Sequence, residues 1–138
     1  MDTVERGGTM ATDLTISVED RPGAMASVGE ALGKAGINIE GICGLGFEGR
    51  GMIHLCVQDG AAARRALDAA GIKVEGEADA ILGDPVAGAD QPGTMGAMAR
   101  QVADAGINVR AAYLATNSRV VMVTDDNAKL MELIAKMM

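Results

Sequence analysis

Two stretches hold the side chains that could do chemistry. RPGAMASVGEALGKAGINIEG runs from Arg21 to Gly41 behind Asp20, and QPGTMGAMARQVADAGINVRA runs from Gln91 to Ala111 behind Asp90. In the first, a carboxylate (Asp20), a guanidinium (Arg21), a glycine at a helix start (Gly23) and an amide (Asn38) bracket one amphipathic segment. Such a set suits a zwitterion, which carries a carboxylate and an ammonium one carbon apart. A helix N-terminus presents unpaired N–H groups and a partial positive charge to the carboxylate. Gly23 has no side chain, so a ligand can approach the amides of Gly23, Ala24 and Met25. Asp20 can pair with the ammonium and Asn38 can hold either end, while Arg21 offsets the chain's negative field. The same residues also have a plain structural reading. Pro-Gly punctuates helix starts, Gly-Ile-Asn punctuates helix ends, Asp20 can serve as an N-cap, and Arg21 can be a solvated charge.

Other groups that could react lack the necessary context. GLGFEG, Gly44 to Gly49, has glycine spacing that holds a dinucleotide only where a strand meets a helix. Here RGMIHLCV follows, a strand, so the motif reads as a flexible hairpin connection. Met52, His54 and Cys56 alternate onto one strand face near Cys43, without the tight spacing of a metal site. Burial of that face against a partner is the simpler expectation, and no metal or cofactor is expected. His54 is the single histidine. No serine or cysteine has an evident base and orienter, so the chain reads as non-enzymatic with no catalytic residue.

The elements that must position these groups are written twice. From Pro22 and from Pro92, at a constant offset, Gly23 matches Gly93, Met25 matches Met95, and Ala35-Gly36-Ile37-Asn38 matches Ala105-Gly106-Ile107-Asn108. Met25, Val28, Leu32 and Ala35 step by three and four, as do Met95, Met98, Val102 and Ala105, which is one helix face in one register. Pro at the first helical position and glycine past the last turn cap each helix. DLTISV (Asp13 to Val18) and MIHLCV (Met52 to Val57) alternate as strands, and INIEGICGL is a strand between them. DGAAARRALDAAG is an alanine-rich helix ending at Gly71, and IKVEGEA is a fourth strand. The order βαββαβ predicts a ferredoxin-like α+β unit, an antiparallel sheet with its helices on one face.

The second copy supplies a helix, INVRAAYLAT, RVVMVT and a helix from about Asp126 that places Leu130, Leu133, Ile134 and Met137 on one face. Its first strand is Ala78 to Leu82, nearly continuous from Ile72, and a loop covers Gly83 to Asp90. It lacks a last strand of its own. The expected organisation is an N-terminal tail at 1–11, a first unit at 12–78 and a truncated second unit at 79–138. The open sheet edge left by truncation calls for a cover, and a homodimer provides one.

Composition narrows the partners. Hydrophobic residues are 49% of the 138 and aromatics 1%, so the core must be built from aliphatic residues and ten methionines. A net charge of −7, with Arg64-Arg65 the one basic pair, argues against nucleic acid. The opening MDTVERGGTMAT has no apolar core of a leader, and no run is long enough to span a bilayer. A cytoplasmic protein without membrane attachment is expected, and two cysteines are too few for a disulfide framework.

At EDRPGAMASVGEALGKAGINIEGI the sequence resembles the ACT domain family, small βαββαβ regulatory modules that bind amino acids. The resemblance extends over the chain as tandem copies, the second looser because Gln91 replaces arginine. It implies a ligand held between the loop after strand one and the start of strand two, commonly at a dimer interface. By resemblance the ligand-binding positions are Asp20, Arg21, Pro22, Gly23 and Asn38, with Asp90, Gln91, Gly93 and Asn108 in the second copy. The implied function is binding of a small amino-acid effector by a non-catalytic regulatory protein. The alternative is a free-standing regulatory subunit that docks an amino-acid biosynthetic enzyme.

Overall fold

The computed structural model describes residues 4–5, 7–85, 88 and 90–137. The chain divides into two compact units: Ala11–Ala78, and Met1–Met10 together with Asp79–Met138.

The first unit contains most of β2 (Gly8–Glu19), then α1 (Ala24–Lys34), β3 (Gly41–Phe47), β4 (Arg50–Val57), α2 (Gly60–Ala69) and the start of β5 (Val74–Gly83). Its strands lie in the order β3-β4-β2-β5, the ferredoxin-like arrangement expected. Register follows the alternation: Leu14 lies opposite Leu55 and Ile16 opposite Ile53. These residues and Val57 point to one face, where Val28 and Leu32 of α1 and Ala63 and Leu67 of α2 close over them. Burying each such Val, Leu or Ile contributes about 1.5–3 kcal/mol, and this face holds the unit together.

The termini of α1 fix the loops that matter for function. Ala24 N–H donates to the Arg21 carbonyl at 3.3 Å. Gly23 has φ 91° and ψ −11°, so Arg21-Pro22-Gly23-Ala24 is a type II turn that requires glycine at its third position. The N-cap is therefore Gly23. Pro22 stands in the turn, not at the first helical position, and Asp20 does not cap. At the other end Ile37 N–H reaches the Leu32 carbonyl at 3.0 Å and Gly36 N–H reaches Gly33 at 3.1 Å, a Schellman motif. Gly36 takes the left-handed φ of 72° that this motif needs.

The second unit contains the end of β5, α3 (Thr94–Asp104), β6 (Val109–Leu114), a 3₁₀ turn (Thr116–Ser118), β7 (Val120–Thr124) and α4 (Asn127–Met137). β7 pairs with β5 on one side and β6 on the other. The unit does not lack its last strand. Its fourth strand is Gly8–Met10, the opening of β2, which neighbours β5. Asp84 N–H donates to the Gly7 carbonyl at 2.8 Å. A Cβ placed on Gly8 would stand 3.3 Å from both Ile81 and Met131. Met10 packs on the core of Ile81, Val102, Ile107, Met122, Leu130 and Met131. Gly8–Met10, expected within a tail, are thus strand, and they cover the edge expected to need a partner chain. β1 (Val4–Glu5) pairs in turn with Gly8 and Thr9. The expected loop from Gly83 onward includes residues 86, 87 and 89, which lie outside the described residues.

Candidate functional site

A groove of about 240 Å³ opens in the first unit where β2 turns into α1. Its floor is Gly44 and Gly46 of β3 with Gly51 of β4, and Val18 and Ile53 flank them. Asp20, Arg21, Ala24 and Met25 stand over it. The glycines permit this close approach. A Cβ on Gly46 would lie 2.6 Å from Asp20 Oδ2, and one on Gly44 would lie 3.1 Å from Met25 Cε. The GLGFEG motif is therefore mostly strand. β3 runs through Phe47, and only Glu48-Gly49, with φ 51° and 78°, make the turn, as in a type I′ hairpin. The expected hairpin is present, but its connection is only two residues long because pairing with β4 outweighs glycine's poor strand propensity. Glycines at alternate positions of a strand share one face, and that spacing was the available signal for the groove floor.

Asp20 is anchored by its backbone, whose N–H donates to the Gly49 carbonyl at 3.1 Å, while its carboxylate lies at the exposed mouth. The start of α1 leaves the Met25 and Ala26 amides without intrahelical acceptors, and Met25 lines the groove. Arg21 is occupied locally. Its Nε pairs with Glu19 at 3.2 Å, and one terminal nitrogen donates to the Pro22 carbonyl at 3.4 Å. Both partners of that pair are largely exposed, so it contributes at most about 1 kcal/mol.

Asn38 does not join this group. It is exposed beyond the C-terminal end of α1, where its amide donates to Glu40. The eleven residues of α1 separate the two ends by ~16 Å, too far for one amino acid to touch both Asp20 and Asn38. The expected pairing of these two residues around one ligand is absent within a single copy.

The second copy repeats the turn. Thr94 N–H donates to the Gln91 carbonyl at 3.3 Å, and Gly93 has φ 90° and ψ −15°. Asp90 and Gln91 are exposed at its start. Asn108 lies past the far end of α3, where its N–H donates to Asp125 Oδ1 at 2.9 Å and its carbonyl accepts from Asp125 N–H at 3.1 Å. Here too the turn and the asparagine stand at opposite ends of a helix.

On the sheet face away from the helices the structure reveals a pair that alternation alone left unremarked. Asp13 is 2% exposed, and its Oδ2 lies 2.9 Å from His54 Nδ1. Thr15 Oγ1 approaches the same nitrogen at 3.5 Å. Cys56 is buried on this face, Met52 and Cys43 are exposed, and neither cysteine forms a disulfide. Among the described residues no three His, Cys, Asp or Glu side chains are placed to share a metal ion, and no helix is long and apolar enough to cross a membrane.

Residues 12–70 match the family model of the ACT domain, a stretch that holds the groove, the turn and Asn38. Among solved structures, the chain is similar to a protein from Bacteroides thetaiotaomicron, with a TM-score of 0.75 and 24% identity over 94% of this chain and 90% of that one. It is also similar to the regulatory subunit of aspartate kinase from Thermus thermophilus in its ligand-free form, with a TM-score of 0.65 and 22% identity over 97% and 98% of the two chains. Crystallised aspartokinase alpha and beta subunits give a TM-score of 0.69 at 18% identity over 96% and 95%. At these identities the shared property is the fold. No curated protein matches the chain.

Proposed function

We propose that this protein is a non-catalytic regulator that binds a free amino acid in the groove of its first unit. The observation that carries this reading is the convergence of the Asp20 carboxylate and the open amides of α1 over a floor of glycines. The ligand carboxylate takes the Met25 amide at the start of α1, and its ammonium takes Asp20. The residues lining the groove include no Ser, Thr, Cys or His, which favours binding without turnover.

Asn38 completes the site from a second copy of the chain. β3 is an edge strand with no charged residue and no proline, and Leu45 and Phe47 on it are both 69% exposed. Natural edges are seldom left so unprotected. In an antiparallel pair of β3 strands about a two-fold axis, the start of one strand lies beside the end of the other. The Asn38 that precedes one β3 then reaches the Asp20 turn that adjoins the other. A homodimer is retained on this ground, in place of the second-unit edge.

Mixing variants tests this directly. Asp20→Ala and Asn38→Ala chains should each bind poorly alone, while an exchanged equimolar mixture should recover about a quarter of the wild-type sites through heterodimers. No recovery in exchanged mixtures refutes the shared site. A second role, docking an enzyme of amino-acid biosynthesis, is supported by the near-complete two-way coverage with the aspartate kinase regulatory subunit. A stoichiometric enzyme in native pull-downs tests that role.

A further inference from the structure

Resting on the amino-acid-binding reading, we propose that the groove selects an amino acid with an uncharged aliphatic side chain of about the size of valine, leucine or isoleucine. Its volume of about 240 Å³ lies below the roughly 300–1,000 Å³ that drug-sized ligands require. Beyond the polar mouth, the apolar side chains are Val18, Ala24, Met25 and Ile53, and the floor is glycine. An ionised side chain entering there loses its hydration and finds no partner.

The charges at the mouth point the same way. Glu19, Asp20 and Arg21 are the charged residues of the lining, and Glu19 and Arg21 are engaged with each other at 3.2 Å. An acidic side chain would therefore meet two carboxylates, Glu19 and Asp20, against the single cation Arg21. A basic side chain would compete with the ligand's own ammonium for that single carboxylate. A neutral chain avoids both conflicts. Met25 lies with its terminal methyl 3.1 Å from the Cβ position of Gly44, and its flexible thioether can adjust to aliphatic branches. Gly44 and Gly46 thus act as specificity-determining positions by leaving room that a side chain would fill.

The experiment is calorimetric titration of the full chain with valine, leucine, isoleucine, lysine, aspartate and glutamate at fixed ionic strength. At least one aliphatic ligand should bind at least ten-fold more tightly than all three charged ones. A charged amino acid within ten-fold of the best aliphatic overturns the selectivity while leaving the amino-acid reading standing. Silence across the set overturns that reading and the selectivity with it. Gly46→Ala places a Cβ 2.6 Å from Asp20 Oδ2, so it should weaken the preferred ligand more than ten-fold with an unchanged melting temperature. Undiminished binding by this variant overturns the role of the glycine floor. If Gly46→Ala also lowers the melting temperature, Met25→Ala on the exposed roof provides the second measurement. It should weaken leucine more than valine, and equal effects overturn the wall assignment.

Discussion

Gly8 offers a sharp test of the strand that completes the second unit. It is buried, and a Cβ there would meet Ile81 Cγ2 and Met131 Sδ at 3.3 Å and the Leu82 carbonyl at 3.5 Å. Alanine requires these neighbours to yield by a few tenths of an ångström. The methionine can do so easily, and the cost should stay below about 1 kcal/mol. Valine adds two methyl groups where no such space exists, and overpacking of this kind costs about 1–3 kcal/mol. Each 1.4 kcal/mol is about ten-fold in an equilibrium constant, so amide exchange through cooperative opening should accelerate roughly 5- to 150-fold. The acceleration should concentrate at Ile81, Leu82, Val121 and Met122, in the strands belonging to the same unit as Gly8. Hydrogen exchange of Gly8→Ala and Gly8→Val against wild type reads both magnitude and location. Unchanged protection in Asp79–Met138, with loss confined to Ala11–Ala78, would refute the assignment of Gly8–Met10 to the second unit.

Two further perturbations test the first unit. Gly29 lies inside α1 with nothing within 4 Å of its Cβ position and no left-handed φ, so Gly29→Ala should stabilise by about 0.5–1 kcal/mol in urea denaturation. Destabilisation would mean that α1 packs more tightly there. His54→Ala removes the imidazole 2.9 Å from the buried Asp13 carboxylate and should cost about 1.5–3 kcal/mol in the same assay. Loss below about 0.5 kcal/mol would assign that carboxylate's stability to other contacts.

The sequence disclosed most of what local rules control. The apolar steps of Val28 and Leu32, the glycines at 36 and 106 and the alternation around Leu14 and Ile53 each report a helix face, a helix end or a strand within a short window. What escaped depends on pairing between distant residues. Gly8-Thr9-Met10 carries no alternation, and its neighbours Ile81 and Met131 are remote in sequence. Gly44 and Gly46 disfavour a strand locally, yet pairing with Ile53 and Gly51 holds them in one. Asp20 and Asn38 were legible as polar residues at a helix's two ends. The length of α1 shows why one copy cannot bring them together. Asp13 occupies the face opposite Leu14, where alternation alone predicts exposure, and the cross-strand histidine gives its buried carboxylate a partner.

Sedimentation velocity of the chain over a range of concentrations, with and without saturating leucine or isoleucine, tests the central claim most directly. A site completed by Asn38 of a second copy binds ligand in the dimer and not in the monomer. Ligand must therefore shift the monomer–dimer equilibrium toward dimer, and Phe47→Lys on β3 must oppose that shift. The account predicts ligand-strengthened dimerisation that Phe47→Lys weakens. A chain that stays monomeric at every concentration while binding the ligand at full stoichiometry would contradict it.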